Sequence, residues 1–379
     1  MNVIHIIIGL NVGGAEMMLK RLVDSHHDNP AFRHAVVSLT DMGKLGVQFQ
    51  AMGVVVHSLG LGSSFGIPLV LWRLVNLIRA LRPDIIQAWM YHADLLGGLA
   101  ARMAGNRHVI WGIRTTDVQA GGSLMTVLVR WLCARFSRWV PQVIVCAAEA
   151  SRQSHIAVGY DATKMVVVPN GYDFSQLSAS ADERKTLREQ SNINQNDVVV
   201  GSLGRFHAVK DQENFVRMAG LLASQYPQLR FLMVGRGLDW DNAPLVDWID
   251  KAGCKERFVL LGERKDVPQC LAAMDIFCLH SRTEGFPNVL AEAMAMGLPC
   301  ITTDVGDAAM LLADTGVVVP KGDSAALAQG VARLLALEQD ARNALGLRAK
   351  AQVEEEYSMD HARKRFEEIY RQVLNKGAF

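Results

Sequence analysis

Short apolar runs rich in valine and isoleucine recur along the whole of this 379-residue chain, and a longer stretch of helical pattern follows each of them. Residues 3–8, 35–39, 54–57, 84–88, 108–113, 143–146 and 165–168 form one series; residues 198–203, 230–234, 258–261, 276–279, 300–302 and 317–319 form a second. The runs are continuously apolar rather than alternating, as in strands buried on both faces. The pattern therefore predicts an α/β fold of parallel sheets covered by helices on either side. A chain longer than the roughly 250–300 residues that one core fills divides into domains. The polar stretch between the two series sets the division. It predicts a doubly wound, Rossmann-like domain over 1–174, a linker over 175–196 and a second doubly wound domain over 197–358. A C-terminal helix over 359–379 then packs on the second domain or crosses back to the first. Two such domains facing each other would enclose a central cleft at the carboxyl ends of both sheets, where such sheets bind ligands.

Half of the residues are hydrophobic and a fifth are charged, the balance of an ordinary globular protein. Formal net charge is +1, but residues 1–170 hold 15 Lys and Arg against 9 Asp and Glu, and the remainder 24 against 29. The positive first half suits an anionic partner such as a membrane surface or a phosphorylated acceptor. No arginine-rich run or stacking aromatic motif accompanies it, which argues against nucleic acid. The six cysteines (Cys133, Cys146, Cys254, Cys270, Cys278 and Cys300) lack Cys-x-x-Cys spacing and read as buried, reduced thiols of a cytoplasmic protein. Residues 3–10 imitate a signal-peptide core, yet no basic residue precedes them and Gly13-Gly14 follows, so they read as a first strand. No run approaches the ~20 apolar residues of a spanning helix, so any membrane attachment is expected to be peripheral.

Candidate chemistry concentrates in residues 281–296. Glu284 precedes a predicted helix and Glu292 lies within it, eight positions on. Pro287 suits the first helical position, where its missing N–H has no intrahelical partner, so the helix is expected to begin near Phe286. The free N–H groups and positive dipole end of such a helix receive an anion, and the flanking carboxylates accept from hydroxyls. An anion beside several hydroxyls describes a nucleotide diphosphate-sugar. Upstream, the run 198–203 ends in Gly204-Arg205-Phe206-His207-Ala208-Val209-Lys210-Asp211. Arg205 offers a two-pronged fork and Lys210 a mobile charge for a diphosphate. The plainer alternative is a solvated loop with a surface ion pair to Asp211.

Three further segments reach the predicted cleft or the surface. The glycine loop at Gly13-Gly14 joins the first strand to the first helix and lets backbone approach a ligand, with Glu16 explained by the helix dipole; it lacks the Gly-x-Gly-x-x-Gly of dinucleotide sites. Tyr91-His92-Ala93-Asp94 and Arg114-Thr115-Thr116-Asp117 each follow a predicted strand. Residues 126–141 interleave Trp131, Phe136 and Trp139 with Arg130, Arg135 and Arg138. That helix either lies on an anionic bilayer or, the favoured reading, faces the core with snorkelling arginines. Asp239-Trp240-Asp241 imitates a metal-binding Asp-x-Asp but sits in a polar loop, and no His/Cys/Asp cluster has metal-ligand spacing.

Taken together, Gly13-Gly14-Ala15-Glu16, Pro169-Asn170-Gly171, Gly204-Arg205 with Lys210, Glu284-Gly285-Phe286-Pro287-Asn288 with Glu292, and Thr303-Asp304-Val305-Gly306 resemble glycosyltransferase family 4. The resemblance runs from Val3 to about Gly322. The family's members are retaining, metal-independent enzymes of the GT-B fold. The resemblance implies that Glu292 accepts from ribose hydroxyls, that Glu284 contacts the donor sugar, and that Arg205 and Lys210 hold the pyrophosphate as the glycosidic bond breaks. Backbone N–H groups between Gly285 and Asn288 would assist, and the Gly13-Gly14 loop would face donor phosphates and acceptor. Many members carry a histidine near the position of Arg114. Here either Arg114 binds phosphate or an acidic acceptor, or His92 takes the histidine's part, or Arg114 pairs with Asp117, itself a candidate acceptor contact.

The implied activity is transfer of a hexose or N-acetylhexosamine from a UDP-, GDP- or ADP-sugar to a hydroxyl acceptor. The implied setting is surface polysaccharide or glycolipid assembly in the cytoplasm or at the inner membrane face, with no cofactor or metal. An epimerase on the same fold and a non-catalytic nucleotide-sugar-binding scaffold are the alternatives.

Overall fold

The computed structural model describes residues 1–62, 66–116 and 124–375. The chain divides into two compact units: Met1–Tyr172 with Tyr357–Phe379, and Asp173–Glu356. Among the described residues every predicted apolar run is a strand. In the first unit these are β1 (Asn2–Ile7), β2 (Arg33–Ser38), β3 (Val55–Ser58), β4 (Ile85–Trp89), β5 (Val109–Ile113), β6 (Val143–Cys146) and β7 (Met165–Val167). In the second they are β8 (Val198–Leu203), β9 (Leu229–Val234), β10 (Phe258–Leu260), β11 (Ile276–Leu279), β12 (Cys300–Thr303) and β13 (Gly316–Val319). All pairings are parallel, in the orders β3-β2-β1-β4-β5-β6-β7 and β10-β9-β8-β11-β12-β13. Each sheet thus reverses its winding once, between β1 and β4 and between β8 and β11. The loops leaving those neighbouring strands diverge and open a crevice at their carboxyl ends.

Burial on both faces explains the unbroken apolar runs. In the first unit Ile4 and Ile6 of β1 join one core, with Ile86 and Ala88 of β4, while Val3 and Ile7 join the other, with Ile85 and Trp89. The second core also takes Phe366, Ile369, Tyr370 and Val373 from the helix Met359–Asn375, so the C-terminal helix belongs to the first unit. The chain leaves and re-enters this unit side by side. Tyr172 N–H donates to Tyr357 O at 3.0 Å, and Met359 N–H to Tyr172 O at 2.8 Å.

The segment read as a linker, 175–196, folds into the second unit. Ser180 and Glu183 form a reciprocal cap at the start of the helix Ala181–Gln190, and Arg184 and Arg188 of that helix pair with Asp275 at 2.7 and 3.3 Å. Its polarity reflects a half-exposed helix fixed by charge rather than a free connector. The helix Leu124–Phe136 faces the core along one side, as favoured, and leaves the other open. Val129, Arg130, Cys133 and Ala134 are buried, whereas Leu124, Leu128 and Trp131 are 90, 50 and 59 % exposed. All six cysteines are buried and unpaired, and no helix among the described residues is long and apolar enough to cross a membrane.

The face of the first sheet beneath the C-terminal helix carries a polar seam. Trp89 Nε1–H donates to His5 Nδ1 at 3.2 Å, which places the His5 proton on Nε2, donating to His34 Nδ1 at 2.9 Å. The His34 and His26 rings lie 4.9 Å apart, and His26 Nε2 sits 3.4 Å from Glu367, which Arg363 and Arg371 also hold. Burial, with the neighbouring rings, pushes His5 well below the usual histidine range and His34 down to about 3. An unfolded ring titrates near 6.5. The unfolded chain therefore binds more protons below that pH, and the stability contributed by neutral rings, complete above about pH 6.5, is lost as pH falls. Urea unfolding followed by tryptophan fluorescence should show stability decreasing by about 1.4 kcal/mol per pH unit per ring between pH 6.5 and 5. His34→Gln should flatten that slope; an unchanged slope would remove His34 from the cause.

Candidate active site

The crevice between β8 and β11 gathers most of the sequence-predicted groups. After Leu203 the chain passes closely by the end of β9, where Gly235 makes room for it: a Cβ added to Gly235 would lie 2.1 Å from Gly204 O. Arg205 follows, exposed, and its guanidinium makes no hydrogen bond or ion pair among the described residues. A short turn, Ala208–Lys210, then presents Lys210, and Asp211 closes it in the left-handed conformation at φ 56°.

Four contacts staple this loop to the one leaving β11. Arg282 N–H donates to Val209 O at 2.8 Å, and Arg282 Nη2 pairs with buried Asp211 at 2.9 Å. His280 faces the Lys210 carbonyl at 2.6 Å through Nδ1, which must therefore carry the proton, leaving Nε2 to accept from Ser202 Oγ at 2.6 Å. Burial holds that imidazole down to about 4, so it stays neutral and keeps this tautomer. Finally Lys210 Nζ meets Glu284 Oε1 at 2.6 Å, with side chains 22 and 12 % exposed, and Ser281 Oγ donates to the same oxygen at 2.6 Å.

The free valences of this arrangement define what it can bind. Glu284 accepts on one oxygen only, and Lys210 spends one of its three N–H groups. With the unengaged Arg205 fork, the crevice therefore offers several cationic donors and one carboxylate acceptor from adjacent loops. The helix that follows spans Asn288–Ala295, and Pro287 is its cap, at φ −81° and ψ 88°, rather than its first residue. The helix therefore starts two residues later than Phe286. Leu290, Ala291, Ala293, Met294 and Ala295 are buried and Glu292 is half-buried, on the open face one turn beyond Asn288. Gly285 and Phe286 form the turn between Glu284 and that cap.

Beneath the turn lies Thr303-Asp304-Val305-Gly306. Thr303 Oγ1 donates to Ser281 O at 2.7 Å and Asp307 N–H to Gly285 O at 3.0 Å. Gly306, at φ 53°, leaves no room for a side chain: its Cβ would lie 2.4 Å from both Glu284 O and Gly285 O. His280, Ser202 and the Arg282–Asp211 pair were not singled out from the sequence. The usable signal is a histidine directly after the buried strand β11 and a serine within β8.

In the first unit, Gly13 caps the helix Gly14–Asp24 in an extended conformation, and a Cβ there would meet Glu16 Oε2 at 2.4 Å. Gly13 thus makes room for a folded-back glutamate, whereas Gly14 has nothing within 4 Å of its Cβ position. His92 lies in the first turn of the helix Tyr91–Met103, half-buried, pushed below the usual histidine range by burial and without a hydrogen-bond partner among the described residues. Arg114 differs from expectation. Its Nη1 donates to Val168 O at 3.0 Å and to Asn170 Oδ1 at 3.2 Å, and its guanidinium packs over the rings of Trp89 and Phe366. Burial lowers it to about 10, still charged at neutral pH. Through Nη1 it ties β5 to the Pro169-Asn170-Gly171 turn beneath the C-terminal helix, while its Nε and Nη2 are buried without a hydrogen-bond partner among the described residues. Asp117 lies outside the described residues. Asp239 accepts from Asp241 N–H at 3.2 Å within a surface turn, and no group of three metal-ligating side chains is gathered among the described residues.

Two family models match the chain. One described as "Glycosyltransferase Family 4" covers residues 12–176, and one described as "Glycosyl transferases group 1" covers residues 197–337. The chain is 27 % identical over 236 residues to the Escherichia coli UDP-Gal:alpha-D-GlcNAc-diphosphoundecaprenol alpha-1,3-galactosyltransferase, covering 61 % of this chain and 60 % of that one. It is 29 % identical over 190 residues to the Bacillus anthracis N-acetyl-alpha-D-glucosaminyl L-malate synthase, covering 50 and 49 %. The chain thus spans about half to 60 % of the length of these curated relatives. The crystal structure of Anabaena Alr3699/HepE in complex with UDP shares the fold, with a TM-score of 0.83 at 22 % identity over 98 % of this chain and 100 % of that one.

Gly306→Ala should destabilise the second unit by more than about 1 kcal/mol, because left-handed backbone and overlap with two carbonyls act together. Gly322→Ala, at φ 72° with open space around its Cβ, carries the backbone term alone. Equal losses of stability in the two variants would show that the Glu284–Gly285 turn does not rest on Gly306.

Proposed function

The chain belongs to glycosyltransferase family 4 and has its GT-B fold, and from the crevice between β8 and β11 we propose that it is a retaining, metal-independent transferase. It moves a hexose or N-acetylhexosamine from a nucleotide diphosphate-sugar to a hydroxyl acceptor. The observation that carries this reading is the set of free valences on Arg205, Lys210 and Glu284, all at the carboxyl ends of two strands where the winding reverses.

The mechanism follows from charge. As the bond from the anomeric carbon to the diphosphate breaks, negative charge grows on the departing oxygen, and Arg205 and Lys210 stabilise it more than they stabilise the bound donor. These fixed cations do the work that a divalent metal does in other transferases. Glu284 accepts from a donor-sugar hydroxyl through its free oxygen, Glu292 from ribose hydroxyls, and the N–H groups of Gly285, Phe286 and Asn288 add donors toward phosphate. The acceptor hydroxyl attacks from the side the diphosphate leaves, and the leaving oxygen takes its proton. The new bond then has the configuration of the old one. In the first unit, Gly14, open on its Cβ side, and His92, without a hydrogen-bond partner among the described residues, are the groups offered to a ligand.

The acceptor class is proposed from the relatives. The Escherichia coli protein is named for a sugar on diphosphoundecaprenol, and a sugar carried on a lipid or a growing polysaccharide fits this chain. The exposed Leu124, Leu128, Trp131 and Trp139, with Arg135 over the Trp139 ring, form an apolar, basic face suited to peripheral contact with an anionic membrane from the cytoplasm.

Calorimetry with the nucleoside diphosphate that most raises the melting temperature, and with its nucleoside, tests the site. Arg205→Ala should weaken the diphosphate by about 10- to 100-fold and the nucleoside little, since the lost bonds are to charge. Equal losses would overturn the phosphate assignment. Transfer with the donor's anomeric configuration, read by NMR of the product, supports retention. An isomerised donor with no released nucleotide would replace transferase by epimerase, and tight donor binding without turnover would replace it by scaffold.

A further inference from the structure

Along the second unit, two hollows of about 400 and 590 Å³ adjoin. Both take Trp248 and Glu213 into their walls, so they form one groove between the helices Gln212–Ala223 and Ala243–Ala252. Measured along the first helix from Glu213 to Leu221, the groove runs ~12 Å. One end is aromatic. The Phe206 and Trp248 rings lie 5.7 Å apart and both are partly exposed, with exposed Pro244 and Ala208 beside them.

Polar valences surround these rings. Trp248 Nε1–H makes no hydrogen bond among the described residues. His207 Nδ1 accepts from Val209 N–H at 3.3 Å, which leaves the Nε2–H of the neutral ring to donate. Glu213 gives one oxygen to Arg217. Asp211, 5 % exposed, gives one to Arg282 and keeps the other without a partner among the described residues.

Charge along the groove is balanced. Glu213 pairs with Arg217, Asp211 with Arg282 and Lys251 with Asp247. Arg205 and Arg236, without ion pairs among the described residues, stand in the loops next to Phe206 but line neither hollow. A charged ligand therefore meets attraction and repulsion together at each pair. A neutral polyhydroxyl ligand uses donors and acceptors alike, and its C–H face rests on the negative face of an aromatic ring. A sugar chain has both properties.

We propose that this groove holds a neutral stretch of a glycan, stacked on Trp248 and Phe206 and apart from the donor crevice. The inference rests on the transferase reading for taking that glycan as acceptor or product; the binding itself does not. Phe206, His207 and Ala208 stand between Arg205 and Lys210 in one loop. A glycan in the groove and a diphosphate in the crevice thus touch different residues of the same loop and bind together.

The test is calorimetric titration of the whole chain with cello-, malto-, manno- and chito-oligosaccharides, from the monosaccharide to the hexasaccharide, with oligogalacturonates as the charged control. At least one neutral series should gain affinity with each added unit and level off once the ~12 Å is filled. The oligogalacturonates should bind about tenfold more weakly. Trp248→Leu keeps an apolar side chain but removes the aromatic face, and should weaken the hexasaccharide about tenfold. Leu221→Lys, at an exposed wall position of the second hollow, should move the plateau to shorter oligomers and leave the monosaccharide unchanged, which keeps the test open if the first variant misfolds. Saturation with the nucleoside diphosphate should change oligosaccharide affinity by less than about twofold. Displacement by that nucleotide would put the glycan in the donor crevice and overturn the proposal. So would an absence of binding in all four neutral series, equal affinity for the charged control, or full affinity in both variants. Failure of the nucleotide itself to bind sinks the transferase reading and leaves the oligosaccharide series standing.

Discussion

The candidate site depends on one ion pair and its supports. Lys210 and Glu284 stand on loops that leave adjacent parallel strands and then diverge, so nothing in the backbone ladder fixes their separation. The 2.6 Å contact does, aided by His280 on the Lys210 carbonyl and by Arg282 on Asp211 and Val209 O. A fully exposed pair contributes about 0–1 kcal/mol, whereas removing one partner of a buried pair costs about 3–5 kcal/mol. With side chains 22 and 12 % exposed, this pair lies between those limits. It is stable enough to order both loops and open enough to admit a ligand to its remaining valences. Each member also neutralises the other, which lowers the cost of keeping two charges in a partly desolvated crevice.

In the first unit the comparable constraint is the return of the chain. The C-terminal helix lies on β1, β2 and β4 over a polar seam, not a purely apolar one. Tyr370 donates to Gln87, Glu367 is held by Arg363, Arg371 and the nearby His26, and Phe366 covers Arg114. Apolar contacts alone would let a helix slide by a turn. Directional bonds to Gln87 and Glu367 and the ring on Arg114 admit one register. The depressed histidines are a consequence: rings kept neutral in this seam leave stability dependent on pH.

Local signals were legible and long-range commitments were not. Every strand could be read because burial on both faces writes itself into consecutive residues, and the glutamates of 281–296 fell where turn and helix chemistry placed them. Pro287 was misplaced by one position, since proline serves equally before a helix and at its first residue, and only the observed ψ of 88° separates the two. Arg114 shows what no local pattern carries. Its partners, Val168, Asn170 and Phe366, lie 54, 56 and 252 positions away, and the sequence does not reveal that one nitrogen of this cation is engaged while two are left without a partner among the described residues. The segment 175–196 looked like a connector because its helix is polar, yet Asp275 recruits that polarity to the second unit. Gly306 shows the reverse case, a motif residue whose meaning appears only when Glu284 O and Gly285 O are seen against it.

The two sheets reverse their winding in the same way, yet their crevices are lined oppositely. At β8 and β11 the loops supply Arg205, Lys210, Glu284, His280 and Ser281, a set dominated by charge and hydrogen bonds. At β1 and β4 the same topological position is walled by Ile8, Leu96 and Val129, with the His92 imidazole lacking a hydrogen-bond partner among the described residues. Backbone geometry therefore decides where a ligand can lie in each unit, and side chains decide its chemistry. A charged crevice competes well with water only for charged groups, since an apolar ligand would strip its cations of solvent without replacing it. An apolar crevice cannot hold a diphosphate for the mirror-image reason.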